Sequence, residues 1–201
     1  MNLNFKSSTL NLLTLSIMTL LSACSSPKPL PMEDSVNIKS FMGPWFVQGY
    51  TPILVDKEAH NAVEHYYQDD AGKILTTYQF RDGSFDGKIK TYQPTGFVQD
   101  DPSNAYWKMQ FLWPIKADYI IIYLDEDKGH TIIGHPNRKY AWIMTRETSI
   151  PEDTYTFLLN KLKPLDYDLS VVQRLPQNWA TDQDRLKKIQ AVGSSKPLEE
   201  R

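Results

Sequence analysis

The chain of 201 residues contains one cysteine, Cys24, so no disulfide can form within it. No basic tract runs through it either: 22 lysines and arginines stand against 24 acidic residues, a net charge of −2. That balance argues against a nucleic-acid partner, which needs a concentrated positive face. No glycine-rich phosphate loop or dinucleotide fingerprint occurs, so nucleotide-dependent chemistry has no support and no cofactor is expected. Serines and histidines are present without a Gly-x-Ser-x-Gly elbow, and no catalytic residue is assigned. His60 and His65 are five apart, as are His130 and His135; within a strand each pair faces opposite sides, and no metal site is expected. The acidic pairs Asp69-Asp70, Asp100-Asp101 and Glu126-Asp127 fall between apolar stretches, where solvated turns explain them. These absences favour binding over bond chemistry.

Long apolar runs are also missing. Leu10 to Leu21 is interrupted by Asn11, Thr14, Ser16 and Thr19, and is too short and too polar for a membrane span. With Lys6 ahead of it, the segment 1–23 reads as a signal peptide removed on export. Its last residues, Leu21-Ser22-Ala23-Cys24, resemble the lipobox of bacterial lipoproteins. That resemblance implies acylation of Cys24 and, with Ser25 following, an outer-membrane destination in a Gram-negative cell. The alternative is an ordinary thiol beside a plain cleavage site. Each buried methylene contributes about 0.8 kcal/mol to anchoring, so several acyl chains hold where one is marginal. Residues 24–36, with Pro27, Pro29 and Pro31, then form a stiff extended tether.

What the sequence has in quantity is aromatic residues, 12% of the chain, many of them inside alternating runs. Eight strand candidates follow one another: Trp45–Thr51, Asn61–Gln68, Lys73–Phe80, Phe85–Pro94, Tyr106–Trp113, Tyr119–Leu124, Thr131–His135 and Tyr140–Arg146. Asp-Gly and Ala-Gly turn signals separate several of them. In the fifth candidate, Trp107, Met109, Phe111 and Trp113 share one face, because successive strand side chains point to opposite sides. An antiparallel meander of this length closes into a barrel or packs as two sheets; the pattern alone allows both. Pro151-Glu152-Asp153 then marks a helix start, with Phe157, Leu158 and Leu162 near helical spacing. Asp168 to Leu175 reads as one more short strand. Residues 178–201 read as a polar tail, with an exposed helical turn or two over Asp182–Ala191 and disorder after Gly193.

Three blocks carry a family resemblance. Gly43-Pro44-Trp45-Phe46 is similar to the Gly-x-Trp motif that opens the first lipocalin strand, and Ala117-Asp118-Tyr119-Ile120 to Asp125 to the second block of that family. Tyr140-Ala141-Trp142-Ile143-Met144-Thr145-Arg146 is similar to its last barrel strand, which ends in arginine. Residues 37–177 therefore resemble the lipocalins, specifically the lipid-anchored bacterial members. Pro44 within the motif, Thr77-Tyr78 and the long tail depart from the pattern.

The resemblance implies an all-β fold, an eight-stranded up-and-down antiparallel barrel with one C-terminal α-helix packed outside. It implies that Trp45 closes the bottom with Arg146 across its indole. It also implies a ligand-binding cup walled by Tyr66, Tyr78, Tyr92, Trp107, Met109, Phe111, Tyr119 and Trp142, with the loops around Ile53–His60 and Thr95–Pro102 at its open end. The expected partner is a fatty acid or lysophospholipid, bound for storage or transport without turnover, in a barrel that faces the periplasm and is tied to the membrane by its N-terminal lipid. A homodimer across the open end is compatible with it. The competing readings are a lipid-modifying enzyme and a structural envelope lipoprotein whose barrel is filled.

Overall fold

A computed structural model describes residues 28–199; the expected signal peptide, 1–23, and Cys24 lie outside the described residues. A single helical turn, α1 (Ile38–Phe41), capped by the Asn37 side chain, leads into the sheet. The strands are β1 (Gly43–Tyr50), β2 (Ala59–Gln68), β3 (Ile74–Asp82), β4 (Ile89–Tyr92), β5 (Thr95–Val98), β6 (Tyr106–Leu112), β7 (Ile115–Asp125), β8 (His130–Gly134) and β9 (Ala141–Thr145). Each pairs antiparallel with its sequence neighbour, except that β4 and β5 both pair with β3 and are one strand interrupted at Pro94, which has no N–H to offer the ladder. Counted so, eight strands form the barrel, and β9 returns to β1 through Phe46↔Thr145 and Val47↔Met144. The sheet is a closed barrel, not two packed layers.

Alternation sorts the side chains. On β2, Ala62 and Tyr66 join the interior cluster with Trp45, Trp107 and Ile133, while Val63 faces outward. The interior is crowded with rings at the end where α1 crosses it, and the β2–β3, β5–β6 and β7–β8 connections lie at that closed end. The β5–β6 connection is held there by Val36, whose N–H donates to Ser103 O at 2.7 Å. The loop around Thr95–Pro102 therefore borders the closed end rather than the mouth.

Helix α2 (Glu152–Asn160) begins after Pro151 with two acidic residues in its first turn and lies outside the barrel. Tyr155, Leu158 and Leu162 pack on Ile132 and Ile143, whereas Phe157 is exposed. Gly49 makes room for this: a Cβ there would sit 2.7 Å from the Tyr155 ring. The segment expected as a strand from Asp168 is first a 3-10 turn, because the Asp168 side chain accepts from Ser170 N. Only β10 (Gln173–Arg174) pairs, with Tyr50 and Gly49.

The last stretch is not the loose polar tail expected of it. Helix α3 (Gln183–Val192) presents Leu186 and Ile189, three apart, to the outer faces of Phe46 and Val63, and Trp179 and Leu198 complete this cluster. Buried Asp182 accepts from Arg81 Nε at 3.0 Å and from Arg185 Nε at 2.7 Å, and Arg185 also donates to Asn61 O. Nor does the expected tether, residues 24–36, hold over its second half. From Leu30 onward the N-terminal segment is docked: Glu33 N donates to Ile121 O at 3.0 Å, and Leu30 and Val36 are buried.

Candidate functional site

The closed end is built around Trp45. Its indole N–H donates to Phe41 O at 2.8 Å, and the Arg146 guanidinium lies 3.7 Å from its ring centroid. Arg146 donates to Pro44 O, Ser40 O, Phe41 O and Met42 O, at 2.7 to 3.1 Å. A planar fork over an aromatic face, with its donors on the carbonyls at the end of a helical turn, keeps a buried cation satisfied. Burial pulls the Arg146 pKa down to about 10, so it stays charged at neutral pH. Gly43 starts the strand at φ +93°, a conformation that L side chains rarely adopt.

Above this plug lies a second layer of rings. Trp107 and Tyr119 are stacked at 5.6 Å, and Phe41 stands edge-on to Trp107 at 5.3 Å. Tyr66 donates its hydroxyl proton to Glu64, and the Tyr119 hydroxyl meets that of Tyr66. Glu64 follows Ala62 on the inward face of β2. Burial pushes its carboxyl pKa up to about 7; the bond from Tyr66 opposes that rise and nearby Asp56 adds to it. Tyr66 and Tyr119 are themselves pushed far up by burial and remain protonated.

Between this floor and the mouth is a cavity of about 170 Å³. Its apolar wall includes Ile53, Met109, Phe111, Ala117 and Trp142, and its polar groups include Asp56, Glu64, Tyr78, Tyr119 and His135. Asp56 folds in from the β1–β2 loop. It accepts from Ile53 N at 2.7 Å and from Tyr78 at 3.2 Å, its carbonyl accepts from Tyr50 at 2.7 Å, and burial raises its carboxyl pKa. Burial, then the Asp56 charge, push Tyr50 up to about 12. Asp118 at the rim is paired with Lys108 at 2.5 Å. No lysine or arginine is among the described residues lining the cavity.

The structure brings Tyr78, Met109, Phe111, Tyr119 and Trp142 to the cavity wall. Tyr66 and Trp107 are fully buried in the ring layer beneath it. Tyr92 is away from the cavity, stacked on Phe80 at 6.1 Å. The shared face of β6 does not continue to its end: Trp107 and Met109 are buried, Phe111 is at the rim, and Trp113 is out in solvent. The cause is an irregularity in the β6–β7 ladder between Met109 and Leu112, after which the hairpin projects past the barrel. Glu64 was missed although its position carries a signal, a charge at the inward phase of an alternating strand. Asp56, in a loop without periodicity, carries none. Of the histidines, His135 lines the mouth and His65 points outward to Gly193 O at 2.6 Å.

Comparison with known proteins agrees with this geometry. Temperature-induced lipocalin-1 of Arabidopsis thaliana is 26% identical over 160 residues, 75% of this chain and 84% of its own. Outer membrane lipoprotein Blc of Escherichia coli K12 is 26% identical over 162 residues, 74% of this chain and 85% of its own. Among solved structures, insecticyanin from the tobacco hornworm Manduca sexta superposes with a TM-score of 0.60 at 17% identity, over 77% of this chain and 87% of its own. Lobster apocrustacyanin A1 does so with a TM-score of 0.58 at 12% identity, over 78% and 95%. These two establish the fold alone. The Lipocalin-like domain model matches residues 36–177, which is most of the chain and the whole barrel from α1 to β10, and the protein belongs to the lipocalin-like family.

Proposed function

We propose that the barrel binds a single-chain lipid, a fatty acid or a lysophospholipid, and holds it for storage or transport at the cell envelope without changing it. The observation that carries this is a cavity sealed below by the ring layer, walled by Met109, Ala117 and Trp142, and open above. An acyl chain entering it leaves water at a gain of roughly 25 cal/mol per Å² of apolar surface covered. The size of the enclosed space sets a limit. At about 170 Å³ it compares with the roughly 150 Å³ cavity that admits benzene, so it takes the end of a chain while the remainder runs out past Phe111. Similarity to an outer membrane lipoprotein supports an anchor at Cys24 and an outer-membrane location; the periplasmic side is the part of this proposal that the similarity does not address.

The test is native mass spectrometry of the full chain purified from membranes. One bound lipid per barrel, recovered with its ester or carboxyl intact, is the expected result. A barrel with no adduct, which also fails to enhance the emission of an added fluorescent fatty acid, would remove the carrier reading in favour of a structural lipoprotein. Recovery of cleaved lipid would make the protein an enzyme.

A further inference from the structure

The tip of the β6–β7 hairpin is apolar and outside the fold. From Phe111 to Ile115 the chain reads Phe-Leu-Trp-Pro-Ile, and Phe111, Leu112, Trp113 and Ile115 are 58%, 70%, 82% and 68% exposed. Leu112 and Ile115 are cross-strand partners, so their side chains are neighbours at one tip. Leu54, in the β1–β2 loop that also borders the mouth, is 84% exposed. Water is a costly neighbour for such a group, and a folded chain seldom leaves a contiguous apolar projection unless something covers it. None of these side chains is needed for the core. The other four tryptophans, Trp45, Trp107, Trp142 and Trp179, all pack against the barrel or the helix outside it.

A second, independent observation says what covers the tip. The described chain enters the fold at the same end. Lys28 O accepts from Arg138 in the β8–β9 loop, which borders the mouth, and Leu30 packs beside Gly134 at the end of β8. The segment then runs down the outside of the barrel, past Ile121 and Ser103, to reach the plug at α1. Cys24 precedes Lys28 by four residues, which span at most about 14 Å. An acyl anchor at that cysteine holds the mouth, rather than the plugged end, against the bilayer. Tryptophan at a hairpin tip, with aliphatic neighbours and Lys116 beside it, has the chemistry of a lipid interface, where an indole sits at headgroup depth.

We infer that the open end of the barrel docks face-down on a lipid bilayer, with Leu112, Trp113 and Ile115 inserted among the headgroups. A lipid then passes between bilayer and cavity along the hairpin without crossing water. The bilayer as occupant rests on the anchor reading above and the passage of lipid on the carrier reading, while the exposed tip and the path of the chain place the contact at the mouth.

The experiment uses the full acylated chain in vesicles of phosphatidylethanolamine and phosphatidylglycerol whose acyl chains carry bromine near the carbonyl, a short-range quencher of indole. Wild-type emission is expected to contain a quenched component that vanishes in Trp113→Phe, and Leu112→Asp with Ile115→Asp is expected to slow lipid pick-up from the vesicles at least tenfold. Unquenched emission, or equal quenching of Trp113→Phe, would overturn the docking, as would a mouth-to-mouth dimer that shields Trp113 from bromine. Quenching by a barrel that carries no lipid would support the docking and remove the carrier reading instead.

Discussion

At the closed end a buried guanidinium meets an aromatic face and four carbonyls; above it, two buried carboxyls meet three phenols, those of Tyr66, Tyr119 and Tyr78, and the Ile53 amide. Both regions keep charge away from water, but the Arg146 donors end on backbone carbonyls, whereas the two carboxyls face the barrel cavity. A carboxylate has about four lone-pair sites, and Glu64 and Asp56 each have some left over toward the cavity. The difference separates a charge held by the protein's own backbone from carboxyls that can also accept from a guest in the cavity. In the first, burial leaves the ionised form in place; in the second, it shifts the proton balance of Glu64 into the neutral pH range.

Three measurements would break or sharpen that contrast. Trp45→Ala removes a buried indole together with the surface beneath Arg146, and about 4 kcal/mol of stability is expected to go in urea unfolding. A loss below about 1 kcal/mol would show that the plug does not hold the closed end. The next largest effect belongs to Glu64. Its pKa is near 7 in the folded chain and 4.5 is its ordinary value, so the folded state binds more protons between those limits. The contribution of Glu64 to stability is therefore greatest below about pH 4.5, falls as pH rises toward 7, and is flat above, with a span of about 3 kcal/mol. Tyr66, Tyr119 and Asp56 face the same carboxyl; the two phenols keep their protons throughout, so the slope belongs to the carboxyls. Glu64→Gln is expected to flatten the curve, and parallel curves for variant and wild type would sink the assignment. The smallest effect is Arg146→Lys, which retains the charge but loses the planar stack, for about 1 to 2 kcal/mol. An unchanged urea midpoint would mean that the stack contributes nothing.

Much of the barrel was readable in the sequence because turn chemistry punctuates it: Asp69-Asp70-Ala71-Gly72 and Asp82-Gly83 fall where strands reverse. The site was readable in part. Alternation assigns faces only while a strand has a regular partner, so it fails for Phe111 and Trp113, beyond an irregular register. Tyr66 and Trp107 have the right phase for the cup but the wrong height, which no periodicity reports. Height along a barrel is set by how neighbouring strands are staggered, and that is a property of the closed sheet. The docked C-terminal segment was hidden by composition: Leu186, Ile189 and Leu198 are few and scattered among charges, and their meaning depends on the outer faces of Phe46 and Val63.

That C-terminal clasp has a practical meaning for where this polypeptide can be trimmed. The family pattern stops at residue 177, yet a chain cut there would bare an oily strip along the first two strands and leave Arg81 without its acidic counterpart. The stretch matched by the family and the packed unit are different lengths, and residues 178–199 lie as a belt over the outer face of the barrel.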